Sequence, residues 1–108
     1  MSRAYACIIS QNASEDADVL LAVAYGFAYR VERLEDGVLF DVSGLEKLIG
    51  DDKKIAQKIV KELENNDING NVAVAASVET ALLLARENRG LSRTAASPRL
   101  GERSVLVK

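Results

Sequence analysis

The chain has 108 residues, 48% of them hydrophobic and 28% charged, with a net charge of −2, a balance typical of one globular domain and too apolar for wholesale disorder. Its single cysteine excludes an internal disulfide, and the lack of histidine removes the commonest general base and zinc ligand. No apolar run approaches the roughly 20 residues that span a bilayer, so we expect a cytoplasmic protein without a membrane partner.

The chain begins with a predicted strand followed by a predicted helix. Residues 4–10 form a short apolar run, in which Cys7 is expected to be a buried thiol. Asn12 or Ser14 is expected to cap the following helix, which should end near Gly26. Its apolar positions recur at helical spacing: Ala17, Leu20, Leu21, Ala24 and Phe27.

Residues 30–50, RVERLEDGVLFDVSGLEKLIG, predict a hairpin that leads into a short helix. Two strand-like runs meet at Asp36-Gly37, a dipeptide that suits the positive φ angles of a type I′ turn. Ser43 and Glu46 have the spacing of a capping box, and Gly50 is expected to end the short helix that they start.

The remaining half of the chain predicts a helix, a strand and a further helix. Asp51 and Asp52 can start a helix with one apolar face, and residues 72–76 have the small and β-branched composition of a strand. Ser77 is expected to cap the last helix. Residues 92–108 predict a loop, in which residues 104–108 could form one edge strand.

The predicted order gives an α+β fold with a ferredoxin-like βαββαβ core. In this arrangement the helices lie on one face of an antiparallel sheet. We expect one domain at residues 1–91, followed by the loop and terminal strand of residues 92–108.

Charge is unevenly distributed along the chain. Residues 1–85 hold 8 basic and 14 acidic residues, a net charge of −6, whereas residues 86–108 hold 6 and 2, a net charge of +4. A basic tail can contact nucleic acid, or it can fold against the acidic body. The candidate contacts are Arg86, Arg89, Arg93, Arg99, Arg103 and Lys108.

Three segments carry a resemblance to a known family: DGVLFDVSGLEKLIG at 36–50, AVAAS at 73–77 and ALLLAREN at 81–88. Together they resemble the palm domain of Y-family (translesion) DNA polymerases, especially the ImuB-type, catalytically degenerate members. The resemblance covers residues 18–91. It implies a palm-like fold and a role in DNA repair or translesion synthesis, through binding of DNA or of repair and polymerase proteins.

The resemblance also implies where catalytic groups should stand. The family holds two metal ions with one Asp at the end of the first strand and an Asp-Glu pair at the hairpin turn. The hairpin Asp falls on Asp36, but the next position is Gly37 and the first strand ends without a carboxylate. Leu84 stands where the family places a triphosphate-binding Lys. A non-catalytic domain without a cofactor is therefore expected.

Two alternatives stay open at this point. In the first, Asp36, Glu35 and Asp41 hold Mg²⁺ in a nucleotidyl transferase whose site is completed by oligomerisation; otherwise Asp36 is a turn residue and Asp41 a polar-face or hydrogen-bonding residue. In the second, the chain is a ferredoxin-like interaction module of unrelated function that forms a homodimer through a sheet face or edge strand.

Overall fold

A computed structural model describes residues 3–87 and 104–107, with five strands and three helices. A short 3-10 turn, Leu45–Lys47, stands between the third strand and the second helix. In chain order the elements are β1 Tyr5–Ile9, α1 Ala17–Tyr25, β2 Val31–Leu34, β3 Gly37–Asp41, α2 Asp52–Asn65, β4 Asn71–Ala75, α3 Val78–Glu87 and β5 Ser104–Val107.

The strands form one sheet in the order β2-β3-β1-β4-β5, and every neighbouring pair is antiparallel. The first four strands with α1 and α2 make the ferredoxin-like βαββαβ arrangement, which confirms the predicted fold class. α3 and β5 follow this core, and β5 pairs with β4 at the sheet edge.

The larger hydrophobic cluster lies between the sheet and the two helices of the core. Alternate residues of β1, β3 and β4 point to this side, as the period of two along a strand requires. α1 contributes Leu20 and Val23, and α2 contributes Ile55, Ile59 and Leu63. The side chain of Asp51 caps α2 by accepting a 3.0 Å hydrogen bond from the Lys54 N–H, as the sequence predicts.

The opposite face of the sheet is covered by α3, which the ferredoxin-like core does not include. Cys7 and its neighbours on the other strands pack there against Ala81, Leu84 and Ala85. Ser77 caps α3: its Oγ accepts a 3.2 Å hydrogen bond from the Thr80 N–H, as predicted. The thiol of Cys7 is buried, also as predicted, and burial raises its pKa to about 12.

Two of the predicted helix starts are wrong. No capping box forms at Ser43, because Gly44 has a φ of 90° and only the three residues of the 3-10 turn follow it. The Ser43 hydroxyl instead accepts a 2.9 Å hydrogen bond from the Ala4 N–H, which ties this loop to the start of β1. α1 begins after Asp16 and has no side-chain cap, so neither Asn12 nor Ser14 serves as one.

The predicted type I′ turn is also wrong. The loop between β2 and β3 consists of Glu35 and Asp36, since Leu34 pairs with Gly37, and none of Glu35, Asp36 and Gly37 has a positive φ. Glycine is needed at position 37 for another reason: a Cβ there would overlap the carbonyl oxygen of Ile8 on the neighbouring strand.

Candidate functional site

The hairpin turn and the end of β1 meet at one end of the sheet. The backbone N–H of Ser10 donates a 2.9 Å hydrogen bond to the carbonyl oxygen of Asp36. The fold therefore brings together the two segments in which the sequence analysis looked for metal ligands. Here they supply the hydroxyl of Ser10, the carboxylate of Asp36 and no side chain at Gly37.

The carboxylate of Asp36 is held by Arg86 of α3. Arg86 donates from Nε to Oδ2 at 2.9 Å and from Nη2 to Oδ1 at 3.1 Å, which makes the pair bidentate. The Asp36 side chain is 18% exposed and that of Arg86 is 42% exposed. The hydrogen bonds with Asp36 raise the pKa of Arg86, so its guanidinium is permanently charged.

The charged pair lies close enough to Cys7 to affect its ionisation. Burial is the main reason why the pKa of this thiol is raised; the charge of Arg86 lowers it and that of Asp36 raises it. Because burial raises this pKa to about 12, the thiol stays protonated near neutral pH. Cys7 is therefore a packing residue here and not a nucleophile.

The structure separates the three candidate metal ligands. Glu35 and Asp36 share the hairpin turn, and Glu35 also contributes to the raised pKa of Arg86. Asp41 lies at the far end of β3, roughly 17 Å away at the usual rise per residue of a strand. In the described part of the chain, no three Asp, Glu or Cys side chains cluster as a metal site would require.

The candidate nucleic-acid contacts have one member within the described residues. Arg86 is 42% exposed, but its charge and two of its N–H donors are paired with Asp36, which makes it a weaker phosphate ligand than an unpaired arginine. The other predicted contacts lie outside the described residues: Arg89, Arg93, Arg99, Arg103 and Lys108.

A second group of polar side chains lies at the far end of the sheet, and of these the sequence analysis had singled out Asp41 alone, as a candidate metal ligand. A cleft of about 300 Å³ is lined by Ala28, Tyr29, Arg30, Asp41 and Ser43. Tyr29 is fully exposed, and Oδ1 of Asp41 accepts a 2.8 Å hydrogen bond from the Ser43 N–H.

Fold and sites together define the class of the protein: an α+β domain with a ferredoxin-like core, extended by one helix on the second face of its sheet. Comparison with protein-family profiles, with characterised proteins and with solved structures finds no significant match in any of the three. No helix within residues 3–87 and 104–107 has the length and apolar character needed to cross a bilayer.

Proposed function

We propose that the protein is a non-catalytic, palm-like domain related to the Y-family DNA polymerases. In this proposal it acts in DNA repair or translesion synthesis in the cytoplasm, by binding DNA or a repair or polymerase protein. The observation that carries the proposal is the bidentate pair of Asp36 and Arg86 at the position where the resembled enzymes bind metal.

Metal-assisted phosphoryl transfer needs several carboxylates that face the same point in space. Two divalent ions stabilise the attacking and leaving oxygens, and hard cations of this kind are bound by negatively charged oxygen ligands. Asp36 is the only carboxylate matched to the family pattern, and Arg86 already neutralises it. A cation would have to displace a permanently charged guanidinium that makes two hydrogen bonds.

The same pair favours a structural role for this end of the sheet. Arg86 belongs to α3 and Asp36 to the hairpin, so the pair joins the added helix to the core fold. The ion pair, at the position that resembles a catalytic centre, thereby holds α3 against the sheet. This supports retention of the palm-like shape for binding partners after loss of the chemistry.

A homodimer through the edge of the sheet is the weaker alternative. β2 is an edge strand, but a symmetric antiparallel pair places the residue at the twofold axis opposite its own copy. In the middle of β2 that residue is Glu32 or Arg33, so like charges would face each other. This arrangement weighs against a second copy at this edge.

The test is a titration with Mg²⁺ and Mn²⁺ followed by thermal melting, combined with an assay of nucleotidyl transfer. An ion that binds only the folded state stabilises it by about 2.7 kcal/mol at a hundred times its dissociation constant. We expect neither ion to shift the melting temperature of the wild type or of Asp36→Asn, and no nucleotide incorporation.

The contrary result would favour the enzyme alternative. A metal-dependent rise in melting temperature in the wild type, lost in Asp36→Asn and accompanied by incorporation, would show that Asp36 is a ligand. Arg86→Gln is the informative third variant, because it removes the competing cation. A rise confined to Arg86→Gln would mean that Asp36 can bind metal only when α3 is unfastened, which agrees with the proposal for the native chain.

A further inference from the structure

The cleft at the far end of the sheet combines an aromatic ring, cationic groups and a hydrogen-bond acceptor. Its residues come from the segment before β2 and from the end of β3, two neighbouring strands of the sheet. The volume of about 300 Å³ is at the lower end of the range of roughly 300–1,000 Å³ for ligand sites. It suits a ligand of the size of one nucleotide.

We propose that this cleft binds one nucleotide unit, either within single-stranded nucleic acid or free. The base would stack on Tyr29, the phosphate would meet Arg30, and Asp41 would accept hydrogen bonds from the N–H groups of the base. The proposal rests on the proposed function as a DNA-binding domain, and it places the contact away from the basic tail.

Tyr29 has the properties of a stacking platform. Its side chain is 100% exposed, so it adds nothing to the core, whereas the other exposed tyrosine, Tyr25, is 55% exposed. Stacking of a base on an exposed aromatic side chain is worth about 1–3 kcal/mol and is a common feature of single-strand recognition.

Two guanidinium groups lie near the cleft. Arg30 lines it, is exposed, and makes no ion pair with any residue in the described part of the chain. Arg3 donates a 3.2 Å hydrogen bond to the hydroxyl of Tyr5, and the charge of Asp41 contributes to its raised pKa. Arginine at such a position favours phosphate oxygens through charge and paired N–H donors.

Asp41 gives the cleft a direction. Its Oδ1 is held by the Ser43 N–H, which fixes the carboxylate while the side chain stays exposed. A carboxylate repels phosphate but accepts hydrogen bonds from N–H groups. A bound nucleotide would therefore place its base toward Asp41 and its phosphate toward Arg30. Guanine offers two N–H donors on one edge and is therefore the preferred base.

The test is fluorescence anisotropy with a labelled oligothymidine of about 12 nucleotides, a length within the usual single-strand site sizes, with or without one central guanine. We expect Tyr29→Ala to weaken binding about tenfold and Tyr29→Phe to retain it. Arg30→Gln should weaken binding and lower the salt slope by about one. The control Lys58→Gln, an equivalent loss of one exposed charge on α2, should leave affinity nearly unchanged.

Four outcomes separate the cleft from the proposed function. In the first outcome, Tyr29→Ala leaves the affinity for the oligonucleotide unchanged, and replacement of the four arginines of residues 88–103 by Gln abolishes binding. This result overturns the proposal for the cleft and leaves DNA binding by the domain intact. No binding of any oligonucleotide and no binding of GMP overturns the cleft and, with it, the DNA-binding form of the proposed function. Displacement of the guanine-containing strand by GMP, lost in Tyr29→Ala, identifies a free nucleotide as ligand. Binding of the strand that is weakened by Tyr29→Ala but not displaced by GMP identifies nucleic acid, and either result supports the cleft.

Discussion

Replacing Arg86 by Gln should loosen α3 without unfolding the domain. The substitution removes the charge and the bidentate geometry that fasten the helix to the hairpin turn. Exposed ion pairs contribute about 0.2–1 kcal/mol, and hydrogen bonds to charged groups up to about 3 kcal/mol. Because Arg86 is 42% exposed whereas Asp36 is 18% exposed, we take a loss of about 1 kcal/mol, near the lower values.

The single thiol reports this loosening directly. Cys7 is fully buried beneath α3, so a thiol reagent reaches it only when the helix moves or the domain unfolds. A loss of 1 kcal/mol raises the open population about fivefold, and the reaction rate should rise by the same factor. High salt screens the ion pair, so it should speed the reaction of the Cys7 thiol in the wild type and leave the rate in Arg86→Gln nearly unchanged.

Two controls test whether the change in thiol rate comes from this ion pair. Lys58→Gln removes an exposed charge on α2 and should leave the thiol rate unchanged. Asp36→Asn combined with Arg86→Gln should react little faster than either single variant, because the two residues share one interaction. An unchanged thiol rate in Arg86→Gln would refute the idea that the ion pair fastens α3.

Three further predictions follow from the pKa of the thiol, a close backbone contact and the sheet edge. The pKa of Cys7 is raised from 9.0 to about 12 in the folded state, so the folded protein holds this proton more tightly than the unfolded chain and loses stability as pH rises from 9 toward 12. In alkaline denaturation curves, the free energy of unfolding should therefore fall less in Cys7→Ala than in the wild type. Gly37→Ala should lower the free energy of unfolding by at least about 2 kcal/mol in urea titrations, because its Cβ would overlap the Ile8 carbonyl, whereas Gly26→Ala, at a φ of −70°, should change it little. Glu32→Val removes one of the charges at the β2 edge and should promote self-association in light scattering, and a strictly monomeric variant would contradict the protective role of that charge.

The topology of the core was predictable from the sequence because its signals are local and periodic. The helix α2 combines an Asp51 cap with an apolar face, and β4 is a short run of small and β-branched residues. These patterns persist in the fold because burial of one face selects the same period that the sequence displays.

The position of α3 was not predictable in the same way. Its apolar residues indicate a buried side but do not specify which face of the sheet receives it, and a ferredoxin-like core accounts only for α1 and α2. The prediction of a type I′ turn at Asp36 and Gly37 was wrong for a related reason. The glycine is required by the neighbouring strand, a contact distant in sequence, and not by the conformation of the turn.

The candidate site shows the same division between local and distant information. Alignment to the palm pattern indicated that Asp36 lacked carboxylate partners, and in the structure this carboxylate pairs with a cation. Its actual partner, Arg86, lies 50 residues away in the sequence and had been predicted to contact nucleic acid instead. Neither residue type nor spacing could reveal that two separately chosen candidates bind each other.

The small side chains beneath α3 give the two faces of the sheet different tolerance to change in volume. On this face the alanines at positions 73, 75, 81 and 85 let helix and sheet backbones approach closely, with little side-chain volume between them. Enlarging one of them would push the whole helix outward, whereas truncating Ile55 or Ile59 on the other face would leave a cavity. Substitution on the α3 face is thus limited by crowding, and substitution on the α1 and α2 face by loss of volume.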